Sequence, residues 1–248
     1  MKRAALLLKA VRRQRGAATT EFYIVAFFAF IPLVLAILQM GMYMVAKNTV
    51  NTAALGVARA GAASGGDKKA MQVAFANGVM PLYAATGLST MSGNGDKEVT
   101  TASYPQVYAA AIARAKLETA LPLLNKITVL NPSSQSFQDF GINKPGVGRI
   151  IPHTNMDFDK GVVRSASRQT RADALLLKVE VQYCYEMMFP IIDVLVTEVF
   201  LNPLISPLPT AAELLCYLPK PITGRRGIMI RSQAVVRMTT APVQGRFP

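Results

Sequence analysis

No charged side chain occurs between Glu21 and Lys47, and this gap constrains the chain more than any other feature of its sequence. Phe22 to Ala46 supply 25 uncharged positions. At helical rise such a run is about 37 Å long, enough to cross ~30 Å of hydrocarbon with some tilt. Lys2, Arg3, Lys9, Arg12, Arg13 and Arg15 precede it without one acid, and a basic cluster of this kind resists translocation and holds the N-terminus on the cytoplasmic side. The small residues Gly16, Ala17 and Ala18 lie before the apolar run. A secretory signal has the opposite order, with a shorter apolar core followed by its cleavage site. Cleavage at Gly16 would strip the basic leader and leave the span on the mature chain.

Residues 15–63, RGAATTEFYIVAFFAFIPLVLAILQMGMYMVAKNTVNTAALGVARAGAA, resemble the N-terminal module of TadE-like minor pilins (pseudopilins) of the bacterial tight-adherence system, a Flp-type, type IVb-like pilus. The matching pieces are Gly16 before the processing point, Glu21 five residues beyond it, Phe22 opening the span, and the tail Asn51-Thr-Ala-Ala-Leu-Gly-Val-Ala-Arg59-Ala-Gly61. The resemblance implies cleavage after Gly16 by a membrane aspartic prepilin peptidase, which would free an amine at Ala17, one helical turn from Glu21. In mature pilins the equivalent acid is thought to neutralise that amine during assembly. A carboxylate at a membrane boundary is costly unless hydrated or paired; the plainer reading of Glu21 is a solvated interfacial glutamate that marks the helix start. The implied function is participation in pilus assembly, with the peptidase, other pilins, the assembly machinery and the inner membrane as partners. The implied location is a single-pass anchor with a periplasmic domain, or a place in an extracellular pilus. An uncleaved single-pass scaffold of an envelope secretion complex is the alternative, and it shares the same anchor and orientation.

The expected organisation is a leader at 1–16, a membrane helix beginning at 17–46, a helical stem at 47–63 and a periplasmic domain at 64–248. In the stem, Val50, Ala54, Val57 and Gly61 recur at i, i+4, i+7 and i+11 and make one apolar face. Ala53, Gly56, Ala58 and Ala60 keep the surface small enough for another helix to approach closely. Ser64-Gly65-Gly66 breaks the helix, and Asp67 stands where an N-cap would open a second helical run to Pro81. A loop at 89–96, rich in Gly, Ser and Asn, precedes a third helix over Tyr104–Leu121. Strand patterns follow at Ile127–Leu130, Leu175–Tyr185 and Ile228–Met238, the last two with clean alternation. Helices first and strands last predict an α+β fold with a small antiparallel sheet beside the stem. Pairing of the two long strands would bring Glu180 to Arg231 or Arg237, worth a few tenths of a kcal/mol if exposed. These strands, LLLKVEVQYCYEM and RGIMIRSQAVVRM, also resemble the C-terminal part of long TadE-like proteins.

Between those strands, Met187–Leu201 is apolar but too short to span a bilayer and is interrupted by Asp193 and Glu198. It reads as an excursion that covers the sheet or meets a partner, core packing being the simpler assignment. Cys184 and Cys216 are the only cysteines. An oxidising periplasm permits a disulfide between them, worth ~3 kcal/mol on the loop-entropy account; two thiols are the alternative. Removing the six of 27 basic residues that precede Gly16 lowers the formal net charge from +13 to +7. Arg225–Arg226 is an isolated pair without an aromatic platform, so nucleic acid is not an expected partner, and loose attraction to anionic lipid is the more modest use of the charge. Chemistry is sparse. His153 is the single histidine, Asp157 and Asp159 form a lone Asp-x-Asp, Asp139 reads as a plain surface acid, and no nucleophile elbow, phosphate loop, zinc-protease or dinucleotide motif occurs. The expectation is a protein that is not an enzyme, with no metal and no cofactor.

Overall fold

Two consecutive glycines and one proline divide the N-terminal helix into its parts. The computed structural model describes residues 17–83, 104–121, 124–154, 161–201, 210–219 and 224–248. The leader with Gly16, the loop at 89–96, and Asp157 and Asp159 lie outside the described residues. Helix α1 (Ala17–Val25) runs through a π-helical turn (Ala26–Phe30) into α2 (Ile31–Ser64). Pro32 accounts for the wide turn: it has no N–H, and its ring would crowd the carbonyl four residues back. The Ile31 N–H reaches Ala26 O, five residues back, and the expanded turn takes the ring without breaking the helix. The helix stops at Gly65, which adopts the left-handed conformation with φ of 70°. The C-terminal tail then satisfies the last carbonyls. The Thr239 and Thr240 N–H groups donate to Ala62 O at 3.3 and 3.2 Å, and the Thr240 hydroxyl donates to Ala63 O at 2.8 Å.

Helix α3 (Lys68–Val79) folds back along the stem, its N-terminus capped by Asp67, which accepts the Ala70 N–H at 3.2 Å. The return is tight. A Cβ built on Gly78 would lie 2.6 Å from the Cβ and 2.7 Å from the Cα of Ala53, so only glycine permits this approach. The small-residue face of the stem is therefore filled by the chain's own second helix. Helix α4 (Tyr104–Thr119) packs on α3 through Val107, Ala111 and Ala115, spaced four residues apart.

The main sheet has order β1-β4-β5, with β1 (Lys126–Asn131), β4 (Leu176–Glu186) and β5 (Gly227–Arg237) all antiparallel. Its buried face is the one the alternation predicts. Leu177, Val179, Val181, Tyr183, Ile230 and Ala234 meet Val50, Ala54, Val57, Met71 and Phe75 in one core. The Tyr83 and Tyr183 hydroxyls hydrogen-bond at 2.6 Å, and burial pushes both phenols above their usual range. The polar face departs from expectation. Register places Glu180 opposite Gln233, whose side-chain amide donates to it at 2.7 Å, with Gln182 donating at 3.0 Å. Arg231 is taken by Glu213, 2.7 Å away on another element.

Beside this sheet, α5 (Ser134–Phe140), the hairpin β2 (Ile142–Lys144) and β3 (Gly148–Ile150), and α6 (Arg171–Ala174) surround a second small core of Phe137, Phe140, Ile151, Ala174 and Leu175. A polar relay joins the two parts. Asn131 donates to the carbonyls of Asp173 and Leu176 and accepts from Gln169 at 3.1 Å, while Ser136 donates to Gln169 at 2.9 Å. Asp139 is more than a surface acid. Its carboxylate accepts the Ser167 hydroxyl and N–H, each at 2.7 Å, and these bonds hold it below the usual carboxylate range.

Candidate functional site

Ala17 opens α1, and Glu21 stands exposed one turn further on. Phe22 and Tyr23 follow, both exposed and edge to face at 6.0 Å between ring centroids. From there the helix shows apolar side chains on every side. Phe28 is 81 % and Ile37 64 % exposed, and Phe22, Val25, Leu33 and Val45 are in the same condition. The whole apolar helix, Thr19–Ser64, is 46 residues long. Apolar surface of this extent on all faces suits hydrocarbon or other apolar helices rather than water.

One polar side chain interrupts this surface. Gln39 is 4 % exposed, and its Oε1 accepts the backbone N–H groups of Met188 at 3.1 Å and Phe189 at 3.3 Å. Those groups lead into α7 (Pro190–Leu201), so a side chain of the span serves donors that the new helix cannot satisfy itself. Helix α7 then lies along the span. Ile192, Leu195 and Val199 line an apolar groove of about 420 Å³ with Pro32, Leu33 and Ala36. The apolar excursion of the sequence thus packs chiefly on the anchor, with a smaller contact to β5, instead of covering the sheet. Its acids lie beside the foot of β5. Asp193 accepts the Arg226 N–H at 3.2 Å, the Arg226 guanidinium donates to the Thr197 hydroxyl at 2.8 Å, and Glu198 lies 3.7 Å from it. Sequence reasoning passed over Gln39. The available signal was its being the only amide in the uncharged run, since polar groups at membrane depth are rarely idle.

Cys184 and Cys216 form a disulfide with Cα atoms 5.7 Å apart. It links β4 to α8 (Ala211–Tyr217) and closes the segment that contains α7. That segment is therefore held at its two ends by a covalent bond and near its start by Gln39.

Groups suited to catalysis are dispersed. His153 is exposed, and among the described residues no three His, Cys, Asp or Glu side chains converge as metal ligands. A cleft of about 580 Å³ lies where the span meets the domain, walled by Ile37, Met42, Val45, Tyr83, Arg114 and Arg225 among others. Glu118, Glu186 and Tyr183 also line it.

These features define a membrane-anchored protein in which one N-terminal apolar helix leads into an α+β domain. Residues 16–59 match the family model described as TadE-like protein, in agreement with the resemblance drawn from the sequence. The matched segment contains Gly16, Ala17, Glu21, Phe22 and the stem from Asn51 to Arg59, and it ends before the turn at Gly65. No curated protein and no solved structure matches the chain.

Proposed function

We propose that the protein is a minor pilin or pseudopilin that takes part in assembling a tight-adherence pilus. In this reading a prepilin peptidase cleaves its precursor after Gly16. The observation that carries the proposal is the coincidence of two boundaries: the family match begins at Gly16, and Glu21 stands at the entrance of a helix with apolar surface on every side. Cleavage would free the Ala17 amine four residues from Glu21, about one turn of helix. In a bundle of such helices the amine of one subunit and the Glu21 carboxylate of another would neutralise each other, and in a low-dielectric surrounding that pairing favours a single stagger over all others. Phe22 and the residues after it supply the apolar contact.

The basic leader keeps residues 1–16 in the cytoplasm, the span from 17–46 crosses the inner membrane, and the stem at 47–63 carries the domain of 64–248 on the periplasmic side. An oxidising compartment there agrees with the Cys184–Cys216 bond. The role is assembly rather than catalysis, and its partners are the peptidase, other pilins, the assembly machinery and the membrane, not nucleic acid.

Mass spectrometry of the mature N-terminus in the native host, comparing wild type with Gly16→Val, tests the proposal. A peptide beginning at Ala17 that disappears in the variant is the expected result. An intact leader in both would overturn it and leave an uncleaved scaffold of an envelope secretion complex.

A further inference from the structure

We infer that α7 is itself a membrane element, a half-length helix that enters the hydrocarbon leaflet nearer the domain, so that the protein stands in the bilayer on two helices instead of one. The inference rests on the reading of the Thr19–Ser64 helix as a membrane anchor.

Depth is the first argument. Phe22 to Gly41 is 20 residues, about 30 Å of helix, which by itself fills the hydrocarbon. Gln39, which receives the start of α7, then sits near the boundary on the domain side. Pro32 lies about 15 Å from Phe22 at 1.5 Å per residue, near the midplane. Ile192, Leu195 and Val199 pack along Pro32, Leu33 and Ala36. Once the anchor is inserted, this groove is inside the bilayer.

Length agrees. Twelve residues make about 18 Å of helix, too little to cross a bilayer and about right for one leaflet. No charged residue occurs between Glu198 and Glu213.

The third argument is polarity, which is reversed relative to a helix of a water-soluble domain. Asp193 and Thr197, 3 % and 0 % exposed, face the protein and are bonded through Arg226. The outward side carries Ile191 and Val194, with Ile191 58 % exposed, and Leu195 and Val199 stay about half exposed at the edge of the groove beside the span. A water-facing helix buries its aliphatic stripe and hydrates its acids. Here Asp193 and Thr197 converge inside, Glu198 stays exposed, and Ile191, Val194, Leu195 and Val199 are largely exposed beside the apolar surface of the span. Acyl chains are the occupant that this arrangement fits, because polar groups at membrane depth turn to the protein interior and pair. The remaining charge, Glu198, has Arg226 beside it at 3.7 Å, and the long arginine stem can carry its head toward the interface.

The chain contains no tryptophan, so single tryptophans report without background. The full-length protein is reconstituted in phosphatidylcholine vesicles as Leu33→Trp, Leu195→Trp, Ile191→Trp and Val163→Trp, and each is quenched with lipids brominated at different acyl depths. Leu195→Trp should lose fluorescence several-fold, as Leu33→Trp does, with Ile191→Trp quenched best by shallower bromines and Val163→Trp unaffected. Val194→Trp, on the same outer side, repeats the reading with different packing. If the three α7 reporters answer to aqueous acrylamide and not to bromolipid while Leu33→Trp is quenched, α7 lies outside the hydrocarbon, its face belongs to a second copy or another protein, and the inference is wrong. If Leu33→Trp also escapes, the anchor reading fails and the inference falls with it.

Discussion

The lower and upper halves of one helix obey opposite rules. From Phe22 to Val45 nearly all aliphatic and aromatic side chains are exposed, the less exposed Pro32, Leu35, Gln39 and Tyr43 marking only a narrow side. From Ala46 to Ala62 a single stripe of Ala46, Val50, Ala53, Ala54, Val57, Ala58 and Ala62 is at most 2 % exposed, with Lys47, Asn48 and Arg59 exposed elsewhere on the wheel. The difference is one of solvent. Where water surrounds the helix, apolar residues must be gathered on one side and covered, and α3 and the sheet cover them. Where hydrocarbon or other helices surround it, no side needs to be favoured. Helix α7 resembles the lower half in part, since Asp193 and Thr197 face inward while Ile191, Val194 and Leu195 are exposed.

The largest test of this contrast places a polar side chain in each half. Val57→Asp should abolish the cooperative melt of the detergent-solubilised protein, because an unpaired carboxylate in the main core costs about 3–5 kcal/mol, a large share of a domain's stability. Ile37→Ser, in the exposed half, should move that melt by less than about 0.5 kcal/mol. Circular dichroism on both variants decides the matter; similar losses from both would mean that the lower half is also part of the folded core.

Next in size is the covalent tie. Cys184→Ser with Cys216→Ser should lower domain stability by about 3 kcal/mol and make the chain between β4 and β5 the first site of limited proteolysis. A third test breaks the joint between the halves. Gln39→Leu leaves the Met188 and Phe189 N–H groups without their acceptor, a loss of about 1–3 kcal/mol. Hydrogen exchange should show it in α7 and spare α3; uniform loss of protection would place Gln39 in the global core instead.

The same contrast explains which parts of the molecule could be read in the sequence. The anchor, the stem face through Val50, Ala54, Val57 and Gly61, the Asp67 cap and the alternation of β4 and β5 were legible because each is a strong local signal with one period. The small-residue stem was read correctly as a surface for a close helix, but its occupant, α3, depends on the Gly78–Ala53 approach and is a tertiary fact. Three short helices escaped notice although each opens on a capping box: Ser133 with Ser136, Thr170 with Asp173 and Thr210 with Glu213. The last omission had a consequence. Without α8 there was no reason to withhold Arg231 from Glu180, and the structure gives it to Glu213. Helix α7 was legible as an apolar segment and not as a companion of the span, because composition says that a surface needs cover without saying what covers it. Gly16 and Glu21 were read through the resemblance, and nothing local distinguishes Glu21 from any interfacial glutamate.

The smallest effect belongs to the water side. The Glu213 carboxylate accepts the Thr210 N–H at 2.7 Å and hydroxyl at 2.9 Å, and lies 2.7 Å from Arg231. Burial would raise its pKa, but the bonds from Thr210 and the charge of Arg231 outweigh this and hold it below the usual glutamate range. Glutamine keeps the capping geometry and removes the charge, so Glu213→Gln isolates the electrostatic part. Because the pair is partly exposed, the loss at pH 7 should be only a few tenths of a kcal/mol, and smaller still at high salt. The sign with pH follows from linkage. A carboxylate with a depressed folded-state pKa contributes stability that is present above its unfolded value of about 4.3 and disappears as pH falls through the lower folded value. Urea midpoints of wild type and variant should therefore differ slightly at neutral pH and converge below about pH 4. The Glu198–Arg226 pair at the foot of α7 supplies the counterpart: if it sits at hydrocarbon depth, Arg226→Gln should destabilise α7 by more than Glu213→Gln affects α8, because a buried charge stripped of its partner is not rescued by water. Equal small effects in the two places would mean that water reaches both, and the two halves would differ less than their surfaces suggest.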